Sequence, residues 1–336
     1  MLSSTLRKYG SAALSRGAPR ARAAAAPFSS SSAADDGRDW AKAAGQSDAD
    51  GSRFENYHEA AQVYDQIRYA GGVEVTLGAW AAGGSSSGGT PLHRQRVLDV
   101  GCGTGNYAAA VAPHVGQVDC FDGNASMLAK CEEKLGALRD NHAAGTFTQG
   151  LLPDLPFASG TYHSAMCNLV VHHIEDDDTR PTWARTTAAV HEVARVLKPG
   201  GTFCLNHLAP EQVDCYWFLH YVPVCRERFR ATLVPQTRLA AMFEEAGLQD
   251  VRRATPLDYA LFRPLPTYLQ ADGPLDPEWR KSTSMWALGD AAELEEGMAR
   301  LRADIASGDI AQVLEKYEAR RRELGHTMFF YGNAPN

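Results

Sequence analysis

Short apolar runs alternate along the chain with segments in which apolar residues recur every three or four positions. Seven of these runs predict buried β-strands, and the segments between them predict helices. The predicted strands cover residues 96–100, 117–122, 146–150, 163–170, 202–207, 248–254 and 326–331. This alternation predicts an α/β fold with a doubly wound sheet, whose ligand site lies beyond the carboxyl ends of the strands.

The first predicted strand runs directly into a glycine-rich loop, Gly101-Cys102-Gly103-Thr104-Gly105, and an alanine-rich segment follows. Glycine permits positive φ and close approach of a ligand, and backbone N–H groups in such a loop can bind a carboxylate. The spacing G-x-G-x-G differs from the dinucleotide fingerprint G-x-G-x-x-G and from a P-loop, which ends in G-K-[ST]. The loop therefore predicts a nucleotide-type ligand site of another kind.

Residues 99–105, Asp-Val-Gly-Cys-Gly-Thr-Gly, resemble motif I of the class I S-adenosylmethionine (SAM)-dependent methyltransferases. Later segments repeat the resemblance in the expected order: Val118–Asp122, Asn124–Leu128, Gly150–Phe157, Tyr162–Ile174 and Val193–Phe203. The resemblance covers residues 57–256 and is to the small-molecule branch, similar to methyltransferase type 11 and ubiquinone-biosynthesis enzymes. It implies a seven-stranded Rossmann-like sheet in the order 3-2-1-4-5-7-6, with the last strand antiparallel, and it implies SAM as the cofactor.

The resemblance also implies which residues hold SAM. Asp122 ends the second strand, where the family places the carboxylate that accepts hydrogen bonds from both ribose hydroxyls. Leu151 and Leu152 stand where family members often carry an acidic residue for the adenine amino group, so we expect apolar and backbone contacts to adenine, with Met127 or Leu128 on its other face. The remaining candidates for cofactor contacts are Arg68, Asp99, Gly101, Cys102, Gly103, Gly105, Gly123 and Asn168.

The segment before the first strand predicts a helix over residues 54–80, followed by a flexible insertion, AGGSSSGGT, at residues 82–90. Arg68 lies on this helix, which resembles one that closes over the cofactor in the family. Two hypotheses remain open for Arg68: an ion pair with the SAM carboxylate, or a surface pair with Asp65.

Methyl transfer needs a base only when the acceptor is protonated at neutral pH. Three histidines follow predicted strands at their carboxyl ends: His172 and His173 after the fourth, and His207 after the fifth. All three are candidate catalytic bases. The His172-His173 pair also resembles a dipeptide that is common in the family and often shapes the turn after the fourth strand. We expect no metal site there, because adjacent residues on an extended strand point in opposite directions.

Aromatic residues follow the fifth predicted strand, where the family commonly places elements that cover the substrate. Tyr216, Trp217, His220 and Tyr221 are therefore candidate acceptor-binding residues, with helix packing on the sheet as the alternative interpretation. Residues 257–323 show helical spacing and predict a cap, and residues 324–336 hold the last strand and a tail.

Residues 1–34 contain five basic residues and no acidic one, and they are rich in alanine and serine. This composition predicts an organelle transit peptide, mitochondrial rather than plastid, with a disordered low-complexity tail as the alternative. Residues 35–53 then form a predicted disordered linker, and residues 54–256 the SAM-binding core. Removal of the five basic residues takes the formal net charge from −7 to −12, which disfavours nucleic-acid partners. No apolar run reaches the length of a membrane span, so we expect a soluble protein.

The sequence thus predicts a SAM-dependent methyltransferase that acts on a small-molecule acceptor, and it leaves the oligomeric state open. One alternative is a methyltransferase-like mitochondrial assembly factor that binds SAM and a partner protein. Another is an arsenite methyltransferase, for which Cys167 and Cys215 are the candidate ligands. Seven cysteines without a C-x-x-C pair predict reduced thiols and no metal site.

Overall fold

The computed structural model describes residues 69–86, 89–138, 144–174, 182–256, 265–280 and 283–336. Within them, seven strands form one sheet in the order β3-β2-β1-β4-β5-β7-β6. The strands are β1 (Arg96–Val100), β2 (Gln117–Asp122), β3 (Ala144–Gln149), β4 (Tyr162–Asn168), β5 (Leu197–His207), β6 (Gln249–Ala254) and β7 (Met328–Asn333). β7 is antiparallel to both neighbours, and the other pairs are parallel. The strand order and the antiparallel last strand confirm the fold that the sequence predicts.

Ten α-helices accompany the sheet in this part of the chain. They are α1 (Val73–Ser86), α2 (Asn106–Val111), α3 (Ala125–Gly136), α4 (Ala184–Val196), α5 (Pro223–Ala231), α6 (Gln236–Glu245), α7 (Leu265–Tyr268), α8 (Pro277–Arg280), α9 (Ala291–Ser307) and α10 (Ile310–Leu324). Among the described residues, no helix combines the length and the apolar character that a membrane crossing requires.

The two faces of the sheet carry separate hydrophobic cores because successive side chains of a strand point to opposite sides. Leu98 and Val100 of β1 pack with residues of α4 and α6 on one face. Val97 of the same strand packs on the other face with residues of α1, α2 and α3, including the fully buried Trp80. We refer to these as the α4 face and the α2 face of the sheet.

A third core lies in a helical region, which we call the cap: residues 208–233 together with the described residues of 265–324. Its buried aromatic side chains come from the segment after β5 and from the helices before β7. They are Tyr216, Trp217, Phe218, Tyr221, Phe229, Tyr268, Trp279, Trp286 and Tyr317. The cap therefore has a dense aromatic interior of its own.

The largest differences between the structure and the predicted elements lie at two boundaries. β5 begins at Leu197, five positions before the predicted start, because Leu197 pairs with Tyr162 of β4 ahead of an irregularity in the register. Helix α1 continues to Ser86, so the prediction of a flexible insertion was wrong for residues 82–86. A Cβ atom at Gly83 would lie 2.1 Å from Oγ1 of Thr202, and this close packing of α1 on β5 outweighs the low helix propensity of glycine. Residues 54–68 of the predicted helix lie outside the described residues.

Candidate functional site

The glycine loop joins β1 to α2, and its three glycines all have positive φ, at 71°, 53° and 80° for Gly101, Gly103 and Gly105. Two of them are also held tightly by neighbours. A Cβ atom at Gly101 would lie 2.3 Å from Val170, and one at Gly105 would lie 2.5 Å from Cys131. A Cβ atom at Gly103 would meet nothing within 4 Å. Gly103 is therefore the position at which the loop faces open space that a ligand can fill.

Most N–H groups of this loop already donate within the protein. Those of Gly101 and Cys102 donate to the carbonyl oxygen of Phe121, and that of Gly105 donates to the carbonyl oxygen of Cys102. The N–H of Gly103 donates to Oδ2 of Asp122 over 2.7 Å. These four groups are therefore not the carboxylate-binding donors that the sequence suggested, and α2, with six residues, is too short to offer a separate N-terminal anion site.

Asp122 stands at the carboxyl end of β2 with its carboxylate held from two sides. Oδ2 accepts from the Gly103 N–H, and Oδ1 accepts from the Asn124 N–H over 2.9 Å. Each carboxylate oxygen has two lone-pair sites. The two backbone bonds thus fix the orientation of the carboxylate at the end of β2, where the family places the acceptor of the ribose hydroxyls.

Two polar side chains at the strand ends are buried without hydrogen-bond partners among the described residues. They are Asp99 of β1, through both carboxylate oxygens, and Asn168 of β4, through both amide atoms. Burial raises the pKa of Asp99 well above its ordinary value, and the charge of Asp122 adds to the shift. Asp99 pairs with Met166, two residues before Asn168, so both side chains belong to the α2 face of the sheet. Unsatisfied buried polar atoms are rare in folded proteins and indicate a place for a polar ligand.

A polar network that sequence reasoning missed lies beside Asn168. Asn206 of β5 pairs with Asn168, and its amide donates to the hydroxyl of Tyr107 over 3.0 Å. Tyr107 in turn donates to the carbonyl oxygen of Gly71 over 2.9 Å, and the Thr327 hydroxyl donates to Asn206. Tyr107 lies two residues beyond the glycine loop, and that spacing is the signal that could have singled it out. The network links α2 and β5 to the residues directly before α1 and before the last strand.

The residues predicted to contact adenine fall into two groups. Met127 and Leu128 lie in the first turn of α3, which Asn124 caps by accepting from the Met127 N–H over 2.9 Å, and both side chains are buried. Leu151 is 50% exposed, whereas Leu152 is buried in the core of the α4 face. The structure thus leaves Leu151 as the apolar surface available from the β3 side.

Gly123 adjoins the same region from the end of β2. Its carbonyl oxygen accepts from the side-chain amide of Gln149 over 3.1 Å, which connects the ends of β2 and β3. Arg68, the predicted partner of the SAM carboxylate, lies outside the described residues.

The predicted bases occupy different surroundings. His172 and His173 lie in a short 3-10 turn, Val171–His173, directly after β4, and Val170 before them contacts Gly101. The two imidazole rings are 4.0 Å apart between centroids, and His172 also meets Phe229 of the cap edge-on. His172 is buried and His173 is half-buried. The pair therefore lies between the glycine loop and the cap.

His207 is fully buried, and its Nε2 lies 3.1 Å from the carbonyl oxygen of Val234. Burial lowers its pKa to about 4. Asn206 next to it belongs to the α2 face, so strand alternation turns His207 to the α4 face. The structure does not bring His207 together with Asp99, Asp122 and the glycine loop.

The predicted acceptor-binding aromatics lie in the interior of the cap. The Tyr216 hydroxyl donates to the carbonyl oxygen of His326 over 2.9 Å, and the Trp217 Nε1–H donates to that of Tyr268 over 2.8 Å. The Tyr221 hydroxyl donates to the carboxylate of Asp304 over 2.8 Å. The structure thus packs this segment into the interior of the cap, whereas the alternative interpretation had placed it on the sheet.

His220, the fourth residue predicted for the acceptor, is half-buried beside Tyr317 of α10, at 3.4 Å between Nδ1 and the tyrosine hydroxyl. Burial lowers the pKa of His220, and the nearby charge of Lys316 lowers it further. Like its three neighbours, it contacts the cap helices rather than the strand ends.

Cys167 and Cys215, the candidate arsenite ligands, are buried in different cores. Cys167 belongs to the core of the α4 face, and Cys215 precedes the aromatic interior of the cap. Neither belongs to a cluster of three metal-ligating side chains among the described residues. The arsenite-acceptor hypothesis thus gains no site from the structure.

Comparisons with known proteins agree with this geometry. A family described as "Methyltransferase domain" matches residues 97–201. An uncharacterized methyltransferase of Bacillus subtilis is 29% identical over 168 residues, which cover 49% of this chain and 62% of that protein, less than two thirds of its length. Demethylmenaquinone methyltransferase of Halalkalibacterium halodurans is 29% identical over 180 residues, covering 47% of this chain and 69% of that protein.

The fold has a solved counterpart in a methyltransferase from an antibiotic biosynthesis pathway of Anabaena variabilis. The two share a TM-score of 0.58 at 18% identity, over 77% of this chain and 95% of that one. With the strand order and the glycine loop, the match of residues 97–201 to the methyltransferase-domain family supports a class I SAM-dependent methyltransferase. SAM is the cofactor of this class, and the open space at Gly103, the oriented Asp122 carboxylate and the buried atoms of Asp99 and Asn168 fit it.

Proposed function

We propose that the protein transfers the methyl group of SAM to a small-molecule acceptor held between the ends of β4 and β5 and the cap. The observation that carries the proposal is the pair of buried, unsatisfied side chains, Asp99 and Asn168, on the same sheet face as the open Gly103 position. A polar ligand at this place would satisfy them, and the acceptor then has to approach from the cap side.

Bound SAM supplies a methyl group already activated on a sulfonium, so the residues of this chain have to bind, orient and exclude water. Asp122 would accept from the ribose hydroxyls through the carboxylate that its two backbone bonds orient. Burial raises the pKa of Asp99, and a cation beside it would favour the ionised carboxylate. Arg68 is the remaining candidate for the carboxylate of the cofactor, since the loop N–H groups already have partners.

For acceptors that must lose a proton, we infer that His173 takes it. His173 is the half-buried member of the pair between the glycine loop and the cap, whereas His172 is buried against Phe229. The kcat of the His173→Gln variant should fall while its SAM affinity stays unchanged, and the acidic limb of the pH–rate profile should disappear. A profile that keeps this limb would exclude His173 as the base.

The proposal is tested by incubating the purified full-length chain with methyl-labelled SAM and small-molecule extracts, followed by mass spectrometry of the labelled products. Asp122→Ala is the matched negative control. Quinone-pathway precursors are the first acceptors to test, because demethylmenaquinone methyltransferases are among the relatives. A labelled small molecule that disappears with the variant supports the proposal. SAM binding without any labelled product would favour the assembly-factor alternative.

We also propose that residues 1–34 direct the chain to mitochondria, on the basis of their composition alone. These residues lie outside the described part of the chain. A fluorescent fusion of residues 1–34 should colocalise with a mitochondrial marker. Plastid signal would favour the alternative organelle, and uniform cytosolic signal would contradict targeting.

A further inference from the structure

Three cysteine thiols meet directly behind the glycine loop. Cys102 belongs to the loop, Cys120 to β2 and Cys131 to α3, and their sulfur atoms all lie within 4.8 Å of one another. The sulfur atoms of Cys120 and Cys131 are 3.5 Å apart. Cys120 and Cys131 are fully buried, and Cys102 keeps 8% of its surface exposed. Among the described residues, these three cysteines are the group of metal-ligating side chains whose ligand atoms lie close enough together to share an ion.

The spacing suits three sulfur ligands on one ion. At an ion–sulfur distance of about 2.3 Å, three sulfur ligands are about 3.4–4.0 Å apart, from a pyramidal to a planar arrangement. One sulfur pair is 3.5 Å apart and the others are no more than 4.8 Å apart, so modest adjustments let the three sulfur atoms coordinate one ion. Sulfur ligands select soft, thiophilic ions over hard ones.

The net charge of the ion with its three thiolates decides which soft ion fits a buried site. The interior excludes net charge, and the carboxylate of Asp99 lies one strand away, paired with Cys120. Three thiolates around a divalent ion leave one negative charge in the interior, whereas three thiolates around a trivalent ion leave none. The three groups start as neutral thiols, which is the ordinary state of cysteine near neutral pH.

We propose that Cys102, Cys120 and Cys131 form a binding site for a trivalent thiophilic ion, for which arsenous acid is the probe. Three arsenic–sulfur bonds form and three arsenic–oxygen bonds break. Each thiol proton leaves with one hydroxyl as water, so one arsenous acid and three thiols give one neutral complex and three waters. No oxidation state changes, and no charge enters the interior.

The site is coupled to the glycine loop by direct packing. Gly105 sits against Cys131, where an added Cβ atom would lie 2.5 Å from its sulfur, and Cys102 is itself a loop residue. Drawing the three sulfur atoms onto one ion therefore displaces the loop that carries Gly103. Arsenic binding should weaken the binding of SAM, a consequence that rests on the proposed function. The site lies behind the loop, away from the cap, so it is an inhibitory site and not an acceptor site.

The first test measures the binding of arsenite to the protein in the absence of any cofactor analogue. The full-length, reduced chain is incubated with arsenite and desalted, bound arsenic is counted by mass spectrometry, and the arsenic–thiolate absorption is recorded in the ultraviolet. We expect one arsenic per chain in the wild type and at least a tenfold weaker affinity in Cys120→Ala and Cys131→Ala. Cys204→Ala is the matched control, since Cys204 is equally buried in a strand but lies in β5, and it should bind as the wild type does.

The second test titrates S-adenosylhomocysteine calorimetrically with and without arsenite. We expect at least a tenfold loss of affinity in the wild type and in Cys204→Ala, and no loss in Cys120→Ala. Near-ultraviolet circular dichroism verifies that each variant folds, and Cys131→Ala replaces Cys120→Ala if the latter does not fold. Absent arsenic binding, or binding that survives both cluster variants, overturns the site. Bound arsenic without an effect on the titration overturns the coupling. A wild type that binds no S-adenosylhomocysteine in the absence of arsenite contradicts the proposed function and leaves the arsenic result standing.

Discussion

Two regions of the molecule differ in how their buried polar groups are paired. One is the strand-end cleft, which comprises the glycine loop and the carboxyl ends of β1, β2 and β4, and the other is the cap. In the cap, the polar ends of Tyr216, Trp217 and Tyr268 each bond a carbonyl oxygen inside the protein, and among the described residues the indole N–H of Trp286 is an exception. In the cleft, the polar side-chain atoms of Asp99 and Asn168 are buried and have no partner among the described residues. Buried polar groups that have a hydrogen-bond partner in the protein stabilise the fold, whereas buried polar groups without one can bind a ligand. The following predictions test this contrast.

The largest effect is expected for the cap. Trp217→Ala removes a fully buried indole and its hydrogen bond, and should lower the free energy of unfolding by about 3–5 kcal/mol. Trp217→Phe keeps most of the volume and should lose only about 1 kcal/mol, the typical worth of the hydrogen bond. Urea denaturation measures both. If Trp217→Ala kept full stability but lost acceptor binding, Trp217 would belong to the acceptor site after all.

Acid should destabilise the protein through two buried histidines. Burial lowers the pKa of His207 to about 4 and that of His326 to about 3. Below pH 6.5 the unfolded chain protonates these histidines while the folded chain does not until those values, so the free energy of unfolding falls as pH is lowered through this window. Each histidine contributes a slope of about 1.4 kcal/mol per pH unit. His207→Gln should therefore reduce the slope between pH 6.5 and pH 4, while the exposed His114→Gln leaves it unchanged. Parallel curves for all three chains would contradict the prediction.

In the cleft, Asp122→Ala should weaken the binding of SAM by about 1.5–3 kcal/mol, the range for hydrogen bonds to a charged group. Asp122→Asn retains one acceptor oxygen and should lose less. Calorimetric titration measures the affinities, with the exposed Glu132→Ala on α3 as the control for charge. Equal affinity in Asp122→Ala and the wild type would remove Asp122 from the ribose site.

The smallest change in stability is expected at Gly103. Gly103→Ala adds a methyl group that meets no protein atom within 4 Å, so its cost is the positive φ alone, about 1–2 kcal/mol. The same methyl group occupies the space assigned to the cofactor, and SAM affinity should fall by at least tenfold. Gly101→Ala, which places a Cβ atom 2.3 Å from Val170, should fail to fold normally. A Gly103→Ala chain that binds SAM as the wild type does would move the ligand away from this loop.

The sequence predicted the sheet well because each strand and each loop carries a local signal. The aliphatic runs, the glycine loop and the acidic end of β2 are all short-range features, and the family resemblance ordered them. The candidate site depends on contacts between distant segments. Val170 against Gly101, or Asn206 against Tyr107, cannot be read from spacing along the chain.

The histidines and aromatics after β5 show the same limit. Position at a strand end made His207 a candidate base, but the side of the strand on which it lies depends on the register of β5 with β4. The aromatic run at residues 216–221 has the composition of a ligand cage and of a protein core alike. Hydrogen bonds to Tyr268, His326 and Asp304, which lie far away in the sequence, place this run in the interior of the cap.

The place of β7 between β5 and β6 has a consequence for synthesis on the ribosome. β6 lies at the edge of the sheet and pairs with β7. Met328 follows Ala254 by 74 positions, so at about 5–20 residues per second β6 waits roughly 4–15 s for its partner to be translated. During that interval its backbone is open to other chains. Arg252 and Arg253 give the strand two exposed positive charges, a feature that discourages such pairing until β7 arrives.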